Sequence, residues 1–317
     1  MKVASITVTY NDYHKFSKWI SYYSDYKSDI YLHVIVDNAS TQEYTGIVKK
    51  AFPDSIILHR ETNGGVTAAY NEGIKYIIKN SDADAILLID ADIKLEKNAI
   101  SEMYNVIQNE KGCGFVAPIL LKKNSDIVEN YGCKITEDLS YKHMYAGIPI
   151  NDISEEQLTV DGVPGGLNMA SPKLYQDIGL EDERLFMYSD ELDMALRVHK
   201  IGYHNVVTKK AIAWHQHENV KGQTRRLPYM NYLIPRNTIY IAKKHYGIKK
   251  ARKIWAKLFF LNTGILIGKI IRFRFNEMIY PKYGVIGCID GIIGRMDNIK
   301  YTTPENMWNV DLSKTDK

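Results

Sequence analysis

Three places in the chain gather acidic side chains that could act together. The first is Asp90-Ala91-Asp92, which directly follows the apolar run Ala85-Ile86-Leu87-Leu88-Ile89. Side chains two apart on an extended segment point the same way, so both carboxylates can face one pocket. Two close carboxylates repel unless a cation or a shared proton offsets them. A hard divalent ion such as Mn2+ or Mg2+ meets that need and keeps positions open for phosphate oxygens. There it can act as a Lewis acid on a departing diphosphate. A solvated turn after a strand would give the same three letters. The second place is Asp37, after Leu32-His33-Val34-Ile35-Val36. A carboxylate here can accept from a base N–H or from ribose hydroxyls, or it can close an Asx-turn with Asn38-Ala39-Ser40. The third is the stretch from Asp182 to Asp193. Asp190, Glu191 and Asp193 crowd the start of a helical pattern, where they either complement the helix dipole or supply a general base. Two further pieces sit beside these. His215 closes the run Ala211-Ile212-Ala213-Trp214 and could complete a metal site or simply lie on the surface. Asn63-Gly64-Gly65 brings bare backbone N–H groups to the start of a helix, which suits an anion or an ordinary turn.

These pieces need a scaffold, and the hydrophobic pattern supplies one. Val3 to Thr9 is predicted as a strand ending in Tyr10-Asn11-Asp12, Leu32 to Val36 as a second, Ile56 to Leu58 as a third and Ala85 to Ile89 as a fourth. The last is apolar throughout, the mark of a strand buried on both faces. Between the third and fourth, Ala69, Gly73, Ile74 and Ile77 share one face of a helix running from Val66 to about Ile78. Strands alternating with helices predict an α/β fold with a mainly parallel sheet. In such sheets ligands bind beyond the carboxyl ends of the strands. That is where Thr9–Asp12, Asp37-Asn38 and Asp90-Ala91-Asp92 fall.

The 317 residues allow one large domain, or one domain with an appendage. A hydrophobic share of 45% and a charged share of 25% exclude a disordered chain and fit a globular one. Three scattered cysteines, Cys113, Cys133 and Cys288, argue against a disulfide framework or a structural zinc. The start turns polar too early for a signal peptide, so a cytoplasmic setting is expected. The net charge of +4 is uneven: the stretch 243–274 holds ten Lys and Arg and no Asp or Glu, leaving the remainder acidic. So local a charge points to an anionic membrane surface rather than to nucleic acid. Ile254, Leu258, Leu261 and Ile265 can share a helical face beside Lys250, Lys253 and Lys257. The uncharged run Leu258 to Gly268 is too short to span a bilayer, which needs about 20 apolar residues. The expectation is a basic amphipathic helix lying on a leaflet, or one packed against the rest of the chain. A domain boundary is expected near Val220, giving 1–220 and a basic, mostly helical 221–317.

Taken in order, the motifs resemble glycosyltransferase family 2, the inverting enzymes of GT-A fold. Thr7-Val8-Thr9-Tyr10-Asn11 is similar to the family's first strand and nucleotide loop, and Val36-Asp37-Asn38-Ala39-Ser40 to its base-contacting motif. Asn63-Gly64-Gly65-Val66 with Asn71-Glu72-Gly73 resembles the helix that follows, and Leu88-Ile89-Asp90-Ala91-Asp92 falls at its DxD. Pro164-Gly165-Gly166 resembles the acceptor-side glycines, and Gly179 to Tyr188 a GGFDERFFMY stretch. Asp190-Glu191-Leu192-Asp193 ahead of Arg197 stands at the ED-x-D-x-x-x-R helix. Tyr232 with Arg236-Asn237 resembles a pattern of rhamnosyl- and galactofuranosyltransferases of surface polysaccharides. The chain departs at Glu181, where an aromatic is usual, at Ser171-Pro172, where an Arg often stands, and in the order Asp190-Glu191.

The resemblance implies a UDP- or dTDP-sugar donor and a saccharide acceptor, carried on a lipid or free. It implies a GT-A catalytic domain; the basic tail adds the expectation of a C-terminal helical extension, peripheral on the inner face of the cell membrane. Asp92 and His215 become metal ligands for Mn2+ or Mg2+. Thr9, Asn11, Asp37, Asn63, Gly64, Gly65, Asn71 and Asp90 become donor contacts. Gly165, Gly166, Asp193 and Arg197 become acceptor contacts, and Glu191 becomes the base, with Asp190 as its rival. Other classes compete for the same features. A sugar nucleotidyltransferase would want a basic, Gly-rich loop where Thr9-Tyr10-Asn11-Asp12 stands. A glycan-binding module has little use for every acidic cluster. An anionic-surface adaptor leaves the first 220 residues unexplained.

Overall fold

The computed structural model describes residues 1–216 and 228–297. These fall into two compact units, one of 1–181 with 193–216 and the other of 182–192 with 228–297. The boundary expected near Val220 lies outside the described residues. The second unit also takes in 182–192, most of the acidic stretch singled out in the sequence.

The first unit runs β1 (Val3–Thr9), α1 (Phe16–Tyr26), β2 (Leu32–Asp37), α2 (Gln42–Ala51), β3 (Ile56–His59), α3 (Gly65–Asn80) and β4 (Ala85–Ile89). It continues through β5 (Ile93–Leu95), α4 (Ala99–Asn109), β6 (Cys113–Lys122), β7 (Val128–Asn130), β8 (Cys133–Ile135) and β9 (Tyr141–His143). Then come β10 (Gln157–Val160), β11 (Leu167–Ala170), α5 (Pro172–Ile178), α6 (Asp190–Lys200), whose first three residues belong to the second unit, and β12 (His204–His215). One sheet runs β10-β12-β6-β11-β4-β1-β2-β3, while β5 pairs with β12 and β7 with β6.

The β4-β1-β2-β3 half is parallel, with Ile6 between Val34 and Leu88. Along β4, Ile86 and Leu88 pack with Tyr70, Ile74 and Ile77 of α3, whereas Leu87 and Ile89 pack with Ile100 and Met103 of α4. A strand buried on both faces has no place for alternation, which is why its sequence is uniformly apolar. Each fully buried aliphatic side chain here contributes about 1.5–3 kcal/mol. The other half of the sheet is mixed. β11 runs antiparallel between β4 and β6, so that Leu167 at its start lies beside Ile89 at the end of β4. β12 is parallel to β6 and antiparallel to β5, pairing His215 with Ile93. Both reversals deliver polar residues to the carboxyl end of β4.

In the second unit α7 (Pro228–Ile271) is interrupted at Gly247, whose φ of 80° no helix contains, and α8 (Ile279–Ile293) folds back along it. The first stretch of α7 buries Tyr232, Leu233, Ile239 and Ile241. Gly287 of α8 lies so close that a Cβ would sit 2.2 Å from the Tyr232 carbonyl oxygen. After Gly247 the burial thins to Ala251 and Ile254. Ile254 is buried and Leu258 half-buried, but Leu261 and Ile265 stand 55% and 45% exposed, so the four do not share one covered face. By length and composition alone, α7 contains a stretch long and apolar enough to cross a membrane, and almost none of it is buried.

Candidate active site

The turn from β4 to β5 presents Asp90 and Asp92. The Tyr70 hydroxyl, from α3, donates to Asp90 Oδ1 at 2.8 Å, and the Asp90 N–H donates to the Gly166 carbonyl at 2.9 Å. Burial, and then the charge of Asp92, push the Asp90 carboxyl up to about 6. Asp92 is 7% exposed, and Lys15 Nζ donates to its Oδ2 at 2.9 Å. His215 Nε2 lies 3.7 Å from Asp92 Oδ1, while His215 Nδ1 donates to Glu129 Oε1 at 2.8 Å. Burial works against a proton on His215, but the Glu129 hydrogen bond and the Asp92 charge outweigh it and raise its pKa.

These groups fit a divalent ion. With Nδ1–H committed to Glu129, the neutral imidazole keeps its Nε2 lone pair on the side of Asp92, the arrangement that supports metal-binding histidines. The cation already drawn to Asp92, the Lys15 ammonium, marks a site that wants positive charge. Among the described residues no group of three or more His, Cys, Asp or Glu side chains is placed to hold a metal. Few protein ligands suit Mg2+ and Mn2+, which complete their shells with substrate phosphates and water.

The loops after β1, β2 and β3 form a second cluster. Asn38 N–H donates to the Thr9 carbonyl at 2.9 Å, and Arg60 N–H to the Asp37 carbonyl at 2.9 Å. Asn38 Nδ2 donates to Asn63 Oδ1 at 3.0 Å and to the Gly65 carbonyl at 3.1 Å, tying the β2 loop to the opening of α3. Asn63 Oδ1 also accepts the Gly65 N–H at 3.0 Å, and Asn38 Oδ1 the Gly64 N–H at 3.3 Å. Asn11 Oδ1 accepts the Thr41 N–H at 3.0 Å, and Thr9 Oγ1 pairs with the Tyr44 hydroxyl at 2.6 Å. Thr9, Asn11, Asn63, Gly64 and Gly65 are thus brought together. Asp37 is anchored from several sides within the loop. Its side chain is fully buried, with Ser40 N–H on Oδ1 at 3.0 Å, His59 Nδ1 at 3.0 Å from Oδ2, and the Thr45 hydroxyl also on Oδ2. The turn reading holds: this carboxylate fixes the loop.

Three other expected contacts make internal fastenings. Asn71 Nδ2 donates to the Glu181 carbonyl at 2.9 Å and its Oδ1 accepts the Glu181 N–H at 2.9 Å. Asp193 has no exposed surface and is ion-paired with Arg197 at 2.9 Å. Arg197 Nη1 in turn donates to the carbonyls of Ile178 at 2.8 Å and Leu180 at 2.7 Å. The pair clasps the turn after α5. Gly165 and Gly166 lie where β11 begins beside Asp90. Asn168 Nδ2 donates to the Gly165 carbonyl at 2.9 Å, and a Cβ on residue 166 would fall 2.0 Å from Asp90 Oδ2. Gly166→Ala must therefore displace the Asp90 carboxylate. Its expected result is a turnover loss of at least tenfold, about 1.4 kcal/mol of barrier. Steady-state rates beside a thermal melt check this, and an unchanged rate would show that Asp90 can move freely.

The second unit carries Asp190 and Glu191 at the start of α6. Asp190 is 6% exposed, whereas Glu191 is half-buried. The preceding loop holds Phe186, Tyr188 and Ser189 at φ of 67°, 65° and 61°, a left-handed region that side chains adopt at a cost. What holds it is the pair singled out in α7. Asn237 Nδ2 lies 3.0, 3.0 and 2.8 Å from the carbonyl oxygens of Leu185, Met187 and Tyr188. Arg236, fully buried, donates from Nη2 to Leu185 O at 2.9 Å and from Nη1 to Met296 O at 3.0 Å. Removing such a buried donor costs about 1–3 kcal/mol. Asn237→Ala is expected to lower the melting temperature by a few degrees and turnover by tenfold or more, with donor nucleotide binding unchanged. Calorimetry of nucleotide binding beside the rate distinguishes this from general unfolding, in which both would fall.

Sequence reasoning passed over Lys15, Tyr70, Glu129 and His59. Tyr70 sits on α3 next to Asn71, and the helical pattern alone does not say which of its residues face Asp90. Glu129 lies on a three-residue strand without periodicity, and nothing in its surroundings marks it.

The fold is that of GT-A glycosyltransferases. The mannosyltransferase PcManGT of Pyrobaculum calidifontis, solved with GDP-Man and Mn2+, superposes with a TM-score of 0.54 at 13% identity, over 93% of this chain and 88% of that one. Residues 6–153 match the profile of "Glycosyl transferase family 2". The low-salt glycan biosynthesis hexosyltransferase Agl10 of Haloferax volcanii is 25% identical over 268 residues, 83% of each chain. Galactofuranosyltransferase GlfT2 of Mycobacterium tuberculosis is 24% identical over 213 residues, 62% of this chain; the match spans 33% of that longer protein.

Proposed function

We propose that the protein transfers a sugar, with inversion, from a UDP- or dTDP-sugar to a hydroxyl of a saccharide or lipid-linked glycan in cell-surface polysaccharide synthesis. The observation that carries this reading is the group of Asp90, Asp92 and His215 gathered where β4 and β12 end, in a chain whose residues 6–153 match the family 2 profile. Asp92 and His215 would hold Mn2+ or Mg2+, which when bound supplies Lewis-acid stabilisation to the departing nucleoside diphosphate. Asp90, steadied by Tyr70, would orient the ribose or the water around the ion. The backbone of Asn63-Gly64-Gly65 and the Thr9–Asn11 loop would receive the nucleotide, with Asp37 holding the loop's shape. Gly165-Gly166 would lie on the acceptor side. Glu191 would take the acceptor proton as that oxygen attacks the anomeric carbon and the bond to the diphosphate oxygen breaks. The relatives' names, a glycan-building hexosyltransferase and a galactofuranosyltransferase, support a glycan acceptor. The Mn2+ in the mannosyltransferase supports the ion.

The test is nucleoside diphosphate release from UDP-, dTDP- and GDP-sugars with Mn2+, with Mg2+ and with EDTA. Release from a UDP- or dTDP-sugar that stops in EDTA is expected. Pyrophosphate release from a nucleoside triphosphate and a sugar phosphate would mean a nucleotidyltransferase. No release from any donor would mean a binding module.

A further inference from the structure

The hairpin formed by residues 248–271 and α8 leaves a large apolar surface uncovered. Phe260, Ile267, Ile271, Phe273 and Phe275 are 67%, 50%, 69%, 80% and 58% exposed, and Ile293 of α8 is 56% exposed. Scattered apolar residues on a surface need no account, but a contiguous patch does. At about 100° per residue, the exposed apolar positions from Phe260 to Ile271 spread over more than half the helix circumference. A groove on another protein covers a stripe, whereas a fluid phase covers a wide arc. The charges frame this surface. Lys249, Lys250, Arg252, Lys253 and Lys257 lie before the uncharged run 258–268, and Lys269, Arg272 and Arg274 after it. Glu277, the first acid beyond them, is ion-paired to Lys269 and lies 3.8 Å from Arg274.

We propose that this hairpin seats in the interfacial layer of an anionic membrane, its Ile271–Phe275 turn entering the acyl region and its flanking cations meeting lipid phosphates. Because α8 folds back on α7, the two can enter and leave the interfacial layer on one side. Association of a second copy through the same face would bring two sets of like charges together, which disfavours it. The inference deepens the reading of a lipid-linked acceptor and takes its biological sense from it, although the surface stands on its own residues.

The experiment is flotation of the full chain with phosphatidylcholine vesicles, alone or mixed with phosphatidylglycerol, at low and high salt. Wild type should float with the anionic vesicles only, and should be released by salt. Arg272→Gln with Arg274→Gln should weaken binding by tenfold or more, since each such cation is worth roughly fivefold near the surface. Ile271→Ser with Phe273→Ser and Phe275→Ser should abolish flotation while keeping the wild-type melt and donor hydrolysis. Wild type left at the bottom with both vesicles would overturn the proposal. So would flotation indifferent to lipid charge, or a dimer in solution that the triple variant dissociates. Flotation needs no turnover, so an inactive protein that floats would refute the transferase reading and leave this one standing.

Discussion

Asp92→Asn is expected to lower turnover by about a thousandfold while moving the melting temperature little. A metal ion on a leaving diphosphate supplies several kcal/mol of transition-state stabilisation, and each 1.4 kcal/mol is tenfold in rate. Asparagine keeps the size of Asp92 but gives up the charge that would hold the ion. The stability terms nearly cancel. The variant loses the ion pair with the partly exposed Lys15, worth up to about 1 kcal/mol. It also relieves Asp90, whose carboxyl is pushed up first by burial and then by the charge of Asp92. Rates and melts measured on the same preparations check both halves. A variant with most of its rate, or wild type fully active in EDTA, would remove the metal from the account.

The second large effect concerns the base. Glu191→Gln preserves size and hydrogen bonding but removes basicity, and is expected to cost roughly a hundredfold or more. Asp190→Asn is expected to cost less. Adjacent side chains on a helix leave the axis about 100° apart and cannot serve one spot equally. Asp190 is 6% exposed, while Glu191 is half-buried and the more open to a hydroxyl. The two variants are measured side by side with donor affinity as control, which neither should change. If Asp190→Asn were the dead one, the roles would be exchanged. If both stayed active, the base would lie elsewhere.

The strands and the acidic turn were legible because they obey local rules. β1 and β4 appear with the ends their apolar runs announce, and α3 begins where Gly65 opens it. The reversal of β11 was not legible. Leu167–Ala170 is four residues long, and its direction is set by pairing with β4 and β6 far away in sequence. The same limit hid Lys15 and Glu129, which acquire meaning only when folding brings them to Asp92 and His215. It also blurred Asn71, Asp193 and Arg197. Polar residues in a motif look alike whether they meet a ligand or a backbone carbonyl, and burial decides between them. Arg236 and Asn237 were marked as a pattern, but their work, holding a strained loop ahead of Asp190 and Glu191, is visible only in the fold.

The most direct measurement is the anomeric configuration of the first product. Proton NMR would follow the slow hydrolysis of an α-linked UDP- or dTDP-sugar in Mn2+, before the released sugar mutarotates. Single displacement assisted by one base predicts that the β-anomer appears first, and that its appearance stops in EDTA. The α-anomer appearing first would mean two displacements through an enzyme-bound sugar, and would contradict the roles given to Glu191 and Asp190.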